Sequence, residues 1–142
     1  MRIQNTIDID APVSDVWQVT TDVERLPSIT PTMTRVERLD GGPLAVGSQA
    51  RIKQPGQRAR VWTVTVLEPE RRFAWSTKVM GATMTATHEL APIERGTSNT
   101  LTIDVDGALV GALVKAPARK AIARENEGFR AATERSPGLG SS

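Results

Sequence analysis

The chain has 142 residues, of which 39% are hydrophobic, and it carries a formal net charge of +2 with no cysteine. Its length suits one domain with a buried core. Because the chain has no cysteine, disulfides and thiolate metal sites are excluded. No apolar run reaches the ~18 residues of a membrane span. A cysteine-free chain fits a reducing compartment, so we expect a cytoplasmic location. Only 4% of the residues are aromatic and none is tyrosine, so we expect no nucleic-acid binding by base stacking.

The N-terminal part of the chain predicts one strand followed by two short helices. Residues 2–9 alternate between apolar and polar side chains, which is the pattern of a half-buried strand. A short helix ending near Trp17 is predicted next, with Pro12 at its first position. Thr21 and Glu24 have the spacing of a capping box for a second helix. That helix is expected to end at Pro27, because the residue before a proline avoids the helical conformation.

The middle of the chain predicts six further strands, at residues 35–39, 48–54, 58–67, 71–79, 83–90 and 100–106. Pro55 and Gly56 predict a type II turn. A longer loop or a bulge after this turn is needed to bring Ile52 and Trp75 to the same face of the sheet, since a slip of one residue exchanges the two faces. In that register the inner face contains Ile52, Arg60, Trp62, Val64, Val66, Phe73 and Trp75.

The C-terminal part, residues 107–135, predicts a helix. Its apolar stripe at helical spacing consists of Val110, Val114, Ala118, Ala121, Ile122, Phe129 and Ala132. Pro117 interrupts this segment, so either the helix kinks there or the main helix begins there. Residues 136–142 are small, polar and glycine-rich, which is typical of a flexible tail. The whole order predicts an α+β fold in which a curved seven-stranded antiparallel sheet wraps around a long C-terminal helix.

Several short features follow one another in a characteristic order. They are residues 7–12 (Ile-Asp-Ile-Asp-Ala-Pro), Val16-Trp17, Thr21-Asp22, Pro27, Pro31, Gly41-Gly42, Val46-Gly47 and Gly96-Thr97. In this order, over residues 1–135, the chain resembles the START-like (SRPBCC) superfamily, also called the polyketide cyclase/dehydrase and lipid-transport group. Its members include plant hormone receptors, lipid carriers and aromatase/cyclases. The resemblance implies a single helix-grip domain with a ligand cavity between the sheet and the C-terminal helix; Pro117 departs from the family pattern.

The side chains expected to line this cavity come from the inner face of the sheet, the N-terminal segment and the last helix. We predict as ligand-binding residues Trp17, Ile29, Met33, Ile52, Trp62, Val64, Phe73, Trp75, Met84, His88, Ile103, Val114, Ala118, Ile122 and Glu125. The three tryptophans either stack on a flat ligand or belong to the core.

Three polar residues are candidates for proton transfer. His88, the only histidine, is expected to face inward, where it is either a general base or a neutral core histidine. Glu125 falls within the apolar helical stripe, so it must find a partner or raise its pKa unless a local rotation of the helix exposes it. Arg60 is the candidate partner of Glu125. With one histidine and no cysteine, we expect no metal and no cofactor.

The favoured function is to bind or carry a small hydrophobic molecule, such as a lipid or a polyketide-like ring system. The alternative is a polyketide cyclase/dehydratase-type enzyme, because positioning of a reactive chain supplies much of such catalysis. Residues 51–78 contain seven basic and two acidic residues. A third possibility is therefore an interaction module that uses the basic hairpin, in which Arg51, Lys53 and Arg58 flank the turn at Pro55 and Gly56. The alternative role of these three side chains is to prevent edge-to-edge pairing of strands. A monomer and a homodimer are both compatible with the sequence.

Overall fold

The computed structural model describes residues 1–135; the predicted tail at residues 136–142 lies outside them. The elements in chain order are strand β1 (Arg2–Ile9), helix α1 (Val13–Thr21), a 3₁₀ helix (Val23–Ser28), strands β2 (Arg35–Arg38), β3 (Gln49–Lys53), β4 (Arg60–Glu68), β5 (Arg72–Val79), β6 (Ala82–Ile93) and β7 (Gly96–Val105), and helix α2 (Ala108–Arg135).

All seven strands form one curved antiparallel sheet in the order β1-β7-β6-β5-β4-β3-β2. The crossover from β1 to β2 is made by α1 and the 3₁₀ helix, and α2 packs against β1, β7 and α1. The predicted α+β fold, with seven strands, two short helices after the first strand and one long C-terminal helix, is confirmed.

The predicted turn at Pro55 and Gly56 forms as expected. Gly56 has a φ of 72°, the left-handed conformation that a type II turn requires at its third residue. The backbone N–H of Gln57 donates to the carbonyl of Gln54 at 3.1 Å and closes the turn. Because the loop extends over residues 54–59, Ile52 lies opposite Arg60 in the sheet.

The register change in β4 lies further along the strand than the sequence predicted. A β-bulge separates Val64, which lies opposite Trp75, from Val66, which lies opposite Ala74. Because the extra residue in a bulge reverses the alternation of the strand, Val66 leaves the inner face and Leu67 packs against the core instead. The prediction that Val66 faces inward is therefore wrong.

The capping box predicted for the second helix does not form. The Thr21 hydroxyl donates to a backbone carbonyl within α1 at 2.9 Å, and the Glu24 carboxylate accepts from the backbone N–H of Arg38 at 3.0 Å. Glu24 thus ties the helical crossover to β2 instead of closing its own helix. The segment is a 3₁₀ helix over Val23–Ser28, and it therefore ends one residue after the predicted end at Pro27.

Helix α2 runs without interruption through Pro117, so the prediction that the main helix begins there is wrong. A buried polar cluster fixes the C-terminal half of this helix to the sheet. The Asn126 side-chain amide donates to Asn5 of β1 at 2.7 Å, and Asn99 of β7 donates to Asn126 at 2.8 Å. Packing and these bonds outweigh the loss of one helical hydrogen bond at the proline.

Candidate functional site

A cavity of about 320 Å³ lies between α2 and the concave face of the sheet. Its walls are mainly apolar, and the residues that line it are Met33, Ile52, Gln54, Gln57, Arg60, Trp62, Trp75, Val79, Met80, Met84, Ala86, Thr87, His88, Leu101, Thr102, Ile103, Val114, Pro117, Ala118, Ala121, Ile122 and Glu125. Ligand pockets in proteins commonly have volumes of about 300–1,000 Å³, so this cavity suits a compact guest.

The structure brings most of the predicted ligand-binding residues to this cavity. Those that line it are Met33, Ile52, Trp62, Trp75, Met84, His88, Ile103, Val114, Ala118, Ile122 and Glu125, together with the candidate Arg60. Period-2 alternation in the strands and period-3.6 spacing in α2 place these side chains on facing surfaces.

Four predicted lining residues lie elsewhere. Phe73 and Val64 are buried in the core, where Phe73 packs against the ring of Trp75 at a centroid distance of 5.0 Å. Trp17 packs from α1 against the edge of the core. Ile29 faces a second, more polar groove between the 3₁₀ helix and the C-terminal end of α2. Phe73 and Val64 thus contact other core side chains instead of the cavity.

Several lining residues were not predicted from the sequence. Ala86 and Leu101 continue the alternation that already includes His88 and Ile103, so the strand pattern contained the signal for them. Gln54 and Gln57 belong to the β3–β4 loop, and no periodicity in the sequence indicates that they turn towards the cavity.

Two tryptophans form one wall of the cavity. The rings of Trp62 and Trp75 have centroids 5.8 Å apart and are inclined by 47°. Both side chains are buried apart from the surface that they present to the cavity. Tilted aromatic pairs of this kind offer a firm apolar surface to a ring-containing molecule.

His88 is buried, with 4% of its surface exposed, and it lines the cavity from β6. Its ring lies 5.4 Å from that of Phe73 and meets Phe129 of α2 edge-on at 5.5 Å. Burial among these rings lowers the pKa of His88 to about 4, so the imidazole is neutral at pH 7. Within residues 1–135 its Nδ1 has no hydrogen-bond partner.

Glu125 reaches the cavity from the opposite side, on α2. Although the residue as a whole is half-buried, its carboxyl group is enclosed by protein, and this burial raises its pKa to about 7. A hydrogen bond from the Thr32 hydroxyl acts in the opposite direction, because it favours the carboxylate. Glu125 is thus divided between its neutral and charged forms near neutral pH.

Arg60 does not form the predicted pair with Glu125. Its guanidinium donates to the side-chain oxygen of Gln57 in the β3–β4 loop, and no salt bridge in the described part of the chain joins it to Glu125. Arg60 is the first residue of β4, so the adjoining loop offers a nearer partner. The carboxylate is bonded by Thr32 instead.

The opening of the cavity is marked by lining residues that are also exposed to solvent. These are Gln57 in the β3–β4 loop, Met80 in the β5–β6 turn and Pro117 in the middle of α2. We call these three residues the cavity rim.

The described residues contain neither a metal-binding cluster nor a membrane-spanning helix. Among residues 1–135, no three His, Asp or Glu side chains come together in a way that could hold a metal ion. None of the described helices has the length and apolar character needed to cross a bilayer.

Several known proteins are similar to this chain. A family model described as polyketide cyclase / dehydrase and lipid transport matches residues 1–135. The aromatase/cyclase ZhuI from Streptomyces sp. R1128 has a similar structure (TM-score 0.77, 20% identity, covering 95% of this chain and 94% of that one). A START superfamily protein from Mycobacterium smegmatis is also similar (TM-score 0.77, 15% identity, 94% and 97% coverage). A search of curated proteins gave no match.

Proposed function

Because the chain belongs to the polyketide cyclase/dehydrase and lipid transport family, we propose that it binds a small hydrophobic molecule between the sheet and α2. The observation that carries this proposal is the cavity itself, an apolar space of about 320 Å³ with an opening at the rim. A tightly packed interior leaves few voids larger than a water molecule. A space of this size, maintained by rigid strands and a helix, therefore suits a bound guest.

The walls favour a compact guest that contains a ring. Trp62 and Trp75 supply the aromatic surface, while Met33 and Met84 are flexible side chains that adapt to different shapes. The charged side chains of the lining are separated, since Arg60 lies near the rim and Glu125 lies on α2. We infer a largely apolar ligand whose polar substituent is oriented by one of these groups, as is usual in small-molecule sites.

The proposal is tested by filling the cavity from α2. In the variant Ala118→Trp the new indole enters the cavity, whereas in the matched control Ala112→Trp it points to solvent on the same helix. An environment-sensitive apolar dye should bind the wild type and the control, and Ala118→Trp should lose at least about ten-fold in affinity. Equal dye binding by all three proteins would place the ligand site elsewhere.

The natural ligand is sought by mass spectrometry of material extracted from the purified protein. We expect a hydrophobic molecule to co-purify with the wild type and with Ala112→Trp, and to be absent from Ala118→Trp. Such a molecule would identify the chemical class of the guest directly.

A second candidate function is a cyclase/dehydratase-type enzyme, and Glu125 is the observation that favours it. A carboxyl group whose pKa is about 7 both donates and accepts protons readily near neutral pH, which typically contributes 10²–10⁴-fold in rate when the group is positioned correctly. The similar structure of ZhuI is that of an aromatase/cyclase. Under this alternative, Glu125→Gln should abolish turnover of a polyketide chain while leaving its affinity within about two-fold. A pure binder shows no turnover to lose.

A further inference from the structure

Exposed apolar side chains collect beside the cavity rim. Leu109 and Leu113 are 76% and 62% exposed and lie one turn apart on α2. The next turn contains the rim residue Pro117, and the neighbouring residues Val110 and Val114 face the core and the cavity. Met80, a rim residue itself, is 65% exposed. We call Met80, Leu109 and Leu113 the apolar rim face.

The charge around this face is mainly positive, and the acids that adjoin it are Asp106, which accepts from the backbone N–H of Thr83 at 2.6 Å, and Glu125 in the cavity wall. The three segments that supply the rim residues, residues 53–60, 76–83 and 107–124, contain eight lysines and arginines and no aspartate or glutamate. On α2, Lys120 and Arg124 continue the stripe of Leu109 and Leu113 at helical spacing. Neither of these two cations joins an ion pair within residues 1–135.

We propose that the apolar rim face docks on the surface of an anionic lipid bilayer. The leucines and the methionine enter the boundary between headgroups and acyl chains, and the cations beside them bind the headgroups, as in surface-bound amphipathic helices. The docking role rests on the proposed function, because it places the cavity opening against the lipid. An apolar guest then passes between bilayer and cavity without crossing water.

The shape and charge of the face favour a bilayer over a protein partner. The apolar side chains project from the exposed surface of α2 and of the β5–β6 turn, so they suit a fluid surface that needs no matching pocket. A second copy of the same face would bring its basic residues against equal charges, which disfavours self-association. An anionic bilayer instead supplies complementary charge over the whole face.

The test is flotation of the full chain with phosphatidylcholine vesicles, with and without phosphatidylglycerol. We expect binding only to the anionic vesicles, weakening as salt is added. L109Q/L113Q should lower the partition coefficient by at least about ten-fold, and K120Q/R124Q by about five-fold for each charge removed. The controls Val46→Gln and Arg95→Gln remove an exposed apolar residue and an exposed charge far from the rim face along the chain, and they should bind like the wild type.

All four variants alter exposed positions, and unchanged melting temperatures would show that each is folded. Wild-type binding by L109Q/L113Q, or equal binding to neutral and anionic vesicles, would overturn the proposal. The proposal would also be overturned if the wild type self-associated in light scattering without binding vesicles, and if L109Q/L113Q abolished that self-association. Dye binding in the cavity is measured separately, so loss of the proposed ligand site and loss of lipid docking are distinguishable.

Discussion

Replacement of Glu125 by glutamine should change how the stability of this protein depends on pH. Burial raises the pKa of the Glu125 carboxyl from its ordinary value of 4.5 to about 7 in the folded state. The folded protein therefore holds a proton that the unfolded chain releases between these two values. The contribution of Glu125 to the free energy of unfolding is therefore largest below pH 4.5, and it is lost as the pH rises from 4.5 through the folded-state pKa of about 7.

The size of the effect follows from the shift. A difference of about 2.5 pH units corresponds to roughly 3 kcal/mol at 1.36 kcal/mol per unit, which is an upper figure for a carboxyl at the wall of a cavity. Glu125→Gln stays neutral at every pH, so it should gain up to about 3 kcal/mol relative to the wild type between pH 5 and pH 8.

Urea unfolding followed by tryptophan fluorescence, at several pH values, measures this difference. The matched control is Glu127→Gln, which removes an exposed carboxylate two residues further along α2 and should leave the wild-type pH profile nearly unchanged. If the profiles of the wild type and Glu125→Gln run parallel from pH 5 to pH 8, this carboxyl is not buried in solution and the reasoning is refuted.

Three further changes test other parts of the structure. Burial lowers the pKa of His88 to about 4, so the wild type should lose stability as the pH falls from 6.5 to 4, and His88→Gln should lose less in the same urea titration. Asn126→Ala removes the bonds of the buried Asn99 and of the half-buried Asn5 and should cost about 2–4 kcal/mol in chemical denaturation; a loss below about 1 kcal/mol would contradict the buried cluster. A Cβ at Gly128 would lie 2.5 Å from the backbone oxygen of Ile29, so Gly128→Ala should lower the melting temperature by an amount equivalent to about 1–3 kcal/mol. Gly41→Ala, which meets no atom within 4 Å, is its control, and equal melting temperatures for the two would argue against the close approach.

The features predicted correctly from the sequence depend on local pattern. The alternation of apolar and polar side chains over residues 2–9 predicted β1. The turn at Pro55 and Gly56 could be predicted because proline has a fixed φ and glycine readily adopts a positive φ. The inward orientation of Trp62 and Trp75 could be predicted because alternate residues of a strand lie on the same face of the sheet. These choices are made within a few residues, so sequence spacing is enough to find them.

The errors depend on tertiary partners. Glu24 has the spacing of a cap, but it bonds the backbone of Arg38, which lies fourteen residues away. The prediction for Val66 fails because a bulge leaves no mark in an otherwise regular apolar run. Arg60 faces the cavity as predicted, but the loop residue Gln57 takes its hydrogen bond. Each outcome was decided by which groups the fold brings near, and the sequence alone does not specify that.

The buried residues of α2 are unevenly distributed along its length. Ile122, Asn126, Phe129 and Thr133 anchor its C-terminal half, whereas Gly111 is the one buried residue in the half before Pro117, within Ala108–Arg135 as described. The missing backbone hydrogen bond at the proline divides the two halves. Val110 and Val114 are only partly buried against the core, so we expect the first half of α2 to move outward more readily than the second. Such a movement would widen the mouth for a larger guest while the asparagine anchor and the sheet stay in place.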